Sequence, residues 1–89
     1  MTRSELATAA DHLEAAAEAA GDEAASRLRD VAAQLADLAE ADRDPDHGRL
    51  ARIESKLHDV EDGVDDAVAE KIDEAFAAIR SFRETLEGV

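Results

Sequence analysis

Apolar side chains recur every three or four residues along this chain, and no stretch alternates with period two. At 100° per residue, Leu6, Ala9, Ala10, Leu13, Ala17 and Ala20 fall on one helical face, as do Ala24, Leu28, Val31, Leu35 and Leu38. The second half repeats the pattern with Leu50, Ile53, Leu57, Val60 and Val64, then Val68, Ile72, Ala75, Ile79, Phe82 and Leu86. Alanine, leucine, glutamate and arginine dominate, all strong helix formers, and β-branched and aromatic residues are too few for a sheet. The pattern predicts an all-α protein.

Breaks in the pattern divide it. The one proline lies in Asp42-Arg43-Asp44-Pro45-Asp46-His47-Gly48, where Pro45 disfavours helix at Asp44 and Asp46 is suited to cap the helix that follows. Weaker breaks occur at Gly21-Asp22 and at Asp62-Gly63-Val64-Asp65-Asp66, where glycine precedes capping aspartates. Thr2 or Ser4 is suited to cap the first helix, with Glu5 as a capping-box partner of Thr2. If the weaker breaks are turns, helices of roughly 4–20, 23–42, 46–62 and 66–87 form an up-and-down four-helix bundle in one domain, 1–89. If they are bends, two helices of about 60 Å form a hairpin, and dimerisation of that hairpin builds the bundle. The apolar stripe keeps its phase across both glycines, as a continuous helix requires. The even spacing of the breaks, and the cost of glycine beside clustered aspartate inside a thin helix, favour the compact bundle.

An offset of 44 residues aligns the halves: Leu6 with Leu50, Leu13 with Leu57, Asp22 with Asp66, and Leu28, Leu35 and Leu38 with Ile72, Ile79 and Phe82. Where the first half is small, at Ala9, Ala16, Ala20 and Ala24, the second has Ile53, Val60, Val64 and Val68. Two hairpins packing face to face would show this complementarity, and so would any two helix pairs of equal period.

Length and charge narrow the function. With 89 residues the core is modest, and a substrate-enclosing cleft would consume much of it, so a non-enzymatic role is expected. Alanine covers much of the first half's inner face, so burial per residue is low and a homodimer is expected to supply more. Twenty-three Asp and Glu oppose 10 Lys and Arg, for a net charge of −13, and only Lys56 and Lys71 are lysines. Molar salt shortens the Debye length to about 3 Å and removes the self-repulsion, so this surface suits high salt. The 45% hydrophobic content and the helical period argue against disorder. With no cysteine there is no disulfide, thiolate nucleophile or cysteine zinc site. The start, Met1 to Leu6, lacks the apolar run of a secretory signal, and no long apolar span occurs, so a cytoplasmic location away from membranes is expected.

Candidate chemistry is sparse. Glu54, His58 and Glu61 lie at i, i+4 and i+7 at one edge of the third helix's apolar stripe, a spacing able to gather around a divalent ion. A histidine between two glutamates is equally a product of so acidic a composition, and neither a metal nor another cofactor is expected. His12 and His47 have no nucleophile at a recognisable spacing and read as solvated. The four single glycines form no phosphate loop, and the Asp62–Asp66 turn lacks calcium-loop order. Arg49, Arg52 and Lys56 lie at i, i+3 and i+7 on the third helix, with Arg43 and His47 nearby in the turn. This basic stripe would meet a phosphate or an anionic partner, the alternative function being an anion- or nucleic-acid-binding regulator. The overall charge opposes nucleic acid, and the nearer expectation is that these cations meet the protein's own carboxylates, within the chain or across a subunit interface.

The segments Asp11-His12-Leu13-Glu14-Ala15-Ala16-Ala17, Gln34-Leu35-Ala36-Asp37-Leu38, Asp44-Pro45-Asp46-His47-Gly48-Arg49-Leu50 and Leu86-Glu87-Gly88-Val89 resemble those of a family of small, acidic, uncharacterised helical proteins of haloarchaea. The resemblance implies a halophilic cytosol and carries over neither activity nor binding residues. The function expected from the sequence is therefore unknown beyond self-association or contact with a protein partner.

Overall fold

Each helix begins and ends for a local reason, and those ends set the geometry. The structure, a computed structural model, describes residues 4–85. It contains α1 (Ser4–Ala19), α2 (Asp22–Glu40), α3 (His47–Glu61) and α4 (Asp66–Arg83). Asp46 caps α3, its side chain accepting a hydrogen bond from the Arg49 amide at 2.7 Å, and Asp65 caps α4 through the Val68 amide at 3.1 Å. Gly21 stands at the corresponding position of α2 with extended backbone and no side-chain cap, and Asp22 and Glu23 in the first turn oppose the helix dipole. α2 stops at Glu40, two residues short of the expected end, because Ala41 is already extended ahead of Pro45. α4 stops at Arg83, where the Thr85 hydroxyl donates to the Phe82 carbonyl at 2.6 Å. Ser4 is itself helical rather than a cap, and the expected cap at Thr2 and helical end at Glu87 lie outside the described residues. Asp46→Ala should cost about 1 kcal/mol of stability, read from urea denaturation, because it removes the acceptor for a helix-end amide.

Gly21 and Gly63 lie in turns, so the compact bundle forms and the 60 Å hairpin does not; the longest dimension is 37 Å. Each turn reverses the chain, and the core then sets which face of the next helix points inward. The unbroken phase of the stripe is therefore no sign of continuity. Sequence neighbours pack side by side, α4 closes against α1, and the diagonal pairs do not meet, which is up-and-down topology.

The core holds Leu6, Leu13, Leu28, Leu35, Leu50, Ile53, Leu57, Ile72, Ile79 and Phe82, and no charged or polar side chain among the described residues is fully buried. α1 lies closest to its neighbours because Ala9, Ala10, Ala16 and Ala17 form its inner face. α3 buries Leu50, Ile53, Leu57 and Val60 with no alanine, and stands farther from both α2 and α4. Helix separation follows the bulk at the contact.

The offset of 44 holds in three dimensions. Buried positions 6, 9, 13 and 16 of α1 map onto buried positions 50, 53, 57 and 60 of α3, and positions 28, 31, 32, 35 and 38 of α2 map onto 72, 75, 76, 79 and 82 of α4. In α1 the exceptions are Ala10 and Ala17, whose counterparts in α3 are Glu54 and Glu61.

Candidate functional site

Those two glutamates give α3 a polar seam with α4. The side chain of Glu54, 12% exposed, accepts a hydrogen bond from Arg83 Nη1 at 3.0 Å and lies 3.9 Å from Arg80 Nε. Arg83 Nε also donates to His47 Nδ1 at 3.2 Å, which places the proton of neutral His47 on Nε2. That Nε2 is buried and has no hydrogen-bond partner among the described residues. Farther along, the Arg80 guanidinium lies 5.3 Å from the Phe76 ring centroid, and His58 stacks on the same ring at 4.4 Å.

The seam ends in a carboxyl pair. Glu61, on the last turn of α3, faces Asp73 of α4, and protonation of one carboxyl allows a hydrogen bond between them. The pKa of Glu61 is pushed up to about 7, first by that hydrogen bond, then by burial, then by the negative charges of Asp73 and Asp62. His58 Nδ1 lies 3.9 Å from Glu61 Oε1. Glu61 therefore keeps its proton to a higher pH than an ordinary glutamate does.

This geometry divides the residues singled out in the sequence. Glu54 is engaged by Arg80 and Arg83, while His58 and Glu61 face the lower half of the seam, so the three do not converge. Among the described residues no group of three or more histidines and carboxylates is placed to hold a metal ion. His47 is half-buried and bonded to Arg83, not solvated. His12 is not free either: its Nδ1 lies 3.2 Å from Glu74 Oε1 of α4. Both corrections share a cause, since a flank position on one helix of a four-helix bundle faces the neighbouring helix.

The other basic residues stay apart from the seam. Arg43, Arg49, Arg52 and Lys56 are exposed, and none forms an ion pair with a described residue, so the expected pairing within the chain is not seen. Lys56 lines a groove of about 470 Å³ between α2 and α3, with Arg27, Asp30, Val31, Gln34 and Val60. α3 thus has a neutralised flank against α4 and unpartnered charge elsewhere. Sequence reading missed the pairing of Arg80 and Arg83 with Glu54, and of Asp73 with Glu61. The signal was present in the offset of 44, which sets these glutamates opposite buried alanines.

A four-helix bundle with a polar seam along one hairpin and an unpaired cationic stripe is the class these features define. The chain belongs to the family of unknown function DUF7553, whose profile matches residues 1–85. No curated protein and no solved structure matches it. Among the described residues no helix is long and apolar enough to cross a membrane.

Proposed function

We propose that this chain is a non-enzymatic association module that works as a homodimer, with α3 as its contact surface. The observation that carries this reading is Arg52, exposed and unpaired on the outer face of α3 in a chain with net charge −13, with Arg49 and Lys56 also unpaired on the same helix. Carboxylates outnumber cations more than twofold, yet these three find no partner within the described fold, which suits a partner outside it.

The reading extends to a halophilic cytosol. Two copies of net charge −13 repel each other at long range, and molar salt confines that repulsion to about 3 Å. Ion pairs at contact distance keep part of their attraction under the same conditions, so concentrated salt favours assembly. Binding to nucleic acid, the competing reading of the stripe, would work against the overall charge in dilute buffer and would lose the gain from counterion release in brine.

Static light scattering in molar potassium chloride tests the proposal. The mass should rise with concentration toward twice the 9.5 kDa of one chain. A 9.5 kDa particle at every concentration would overturn it.

A further inference from the structure

The charges on α3 are ordered along its length in the sense that a lone helix disfavours. Arg49 and Arg52 lie near the N-terminus, where the helix dipole is positive, and there is no acidic residue in the first turn. Asp59 and Asp62 lie at the C-terminal end, where the dipole is negative. All four are exposed, and none forms an ion pair with a described residue. This order destabilises α3 by itself, and an antiparallel second copy of α3 reverses the effect.

The positions satisfy a two-fold axis. Arg52 and Asp59 are equally far along the helix from a point between Ser55 and Lys56, close to the middle of α3. Arg52 and Asp59 are also only 20° apart around the helix at 100° per residue, on the same side of its outermost line. An antiparallel copy therefore sets Arg52 beside Asp59 of its partner, and the symmetry makes the pair twice. Gly48, Ala51 and Ser55 form the outermost line and are exposed. Nothing inside the chain requires glycine at 48, since a Cβ there would meet only Asp46 Oδ1 at 3.6 Å and Arg52 Nη1 at 3.9 Å, both ordinary contacts. Small residues on that line let two helix axes approach closely. The exposed face of α1 lacks this complementarity: Asp11, Glu14 and Glu18 are met by no Lys or Arg in Ser4–Ala19, and Glu14 faces Arg29 of α2 at 3.9 Å.

From this arrangement we infer that the occupant of the α3 face is a second copy of the same chain, packed antiparallel on a two-fold axis near Ser55 and held by two Arg52–Asp59 bridges. The inference rests on the self-association proposed above and specifies where and how it occurs. Lys56 lies off this face, in the α2–α3 groove.

A charge-swap series read by sedimentation equilibrium at one fixed ionic strength tests it, with circular dichroism to check that helix content is unchanged. Arg52→Glu and Asp59→Lys should each weaken the dimer roughly tenfold, as two exposed bridges are lost together. An equimolar mixture of the two variants should dimerise, because each then supplies the charge that the other needs, and a chain carrying both changes should regain the homodimer. A wild-type chain that is monomeric at every concentration would overturn the association reading and the pairing with it. A wild-type dimer that neither single change weakens, or single variants that do not rescue each other, would overturn the pairing alone.

Discussion

Alanine in place of Phe82 should lower the unfolding free energy by about 3–5 kcal/mol, measured by urea denaturation followed by helical circular dichroism. Phe82 is 1% exposed and lies in the last turn of α4, where it is among the largest side chains of the core. Small neighbours cannot collapse to fill the space it leaves, because much of the opposing inner surface of α1 is already alanine. A domain of this size has about 5–15 kcal/mol of stability in total, so the loss should leave the chain near its folding threshold. A loss below about 1 kcal/mol would mean that Phe82 does not pack as described.

The second large effect belongs to the carboxyl pair at the end of the seam. Glu61 titrates near 7 in the folded chain against an ordinary value of 4.5, so between those values the folded state holds a proton that the unfolded state has released. Stability drawn from the pair is complete below about 4.5 and is lost as the pH rises through 7. The loss should be on the order of 1 kcal/mol between pH 5 and pH 8, because solvent screens this partly exposed carboxyl. Glu61→Gln replaces the proton with an amide that donates to Asp73 at every pH. The variant should match wild type near pH 5 and exceed it at pH 8, in denaturation curves recorded at both. His58 and Asp62 face the same carboxyl from α3 and remain in the variant, so the difference between the two proteins reports Glu61 itself. Equal pH dependence in both would show that the pair holds no proton.

These two residues also mark how far the sequence could be read. Phe82 was legible because burial repeats with helical period, and every described residue assigned to the inner faces of α2 and α4 on that ground is buried or packed against the core, Leu86 lying outside the described residues. The turns were legible from Pro45 and from the aspartates that cap α3 and α4, although the continuous phase of the stripe argued the other way. Glu61 was legible only as a member of a spacing on its own helix. Its real partner, Asp73, sits on α4, and periodicity within one helix carries no information about which flank of a neighbour it meets. His47 and His12 were misjudged for the same reason: each looks solvated on an isolated helix, and each is claimed by a side chain of α4. The basic stripe was visible from spacing, but its lack of partners within the chain became evident only once the bundle was assembled.

Its four helices let α1 close tightly on alanine, whereas α3 carries glutamate on its flank and unpaired charge on its outer face. On this account α3 is both the least closely packed helix and the one that meets another molecule. Amide chemical shifts recorded over a dilution series of the intact chain test that claim most directly. Changes with concentration should concentrate at Gly48, Ala51, Arg52, Ser55, Asp59 and Asp62, with α1 unaffected. Changes centred on the exposed face of α1, or spectra that do not vary with concentration, would contradict it.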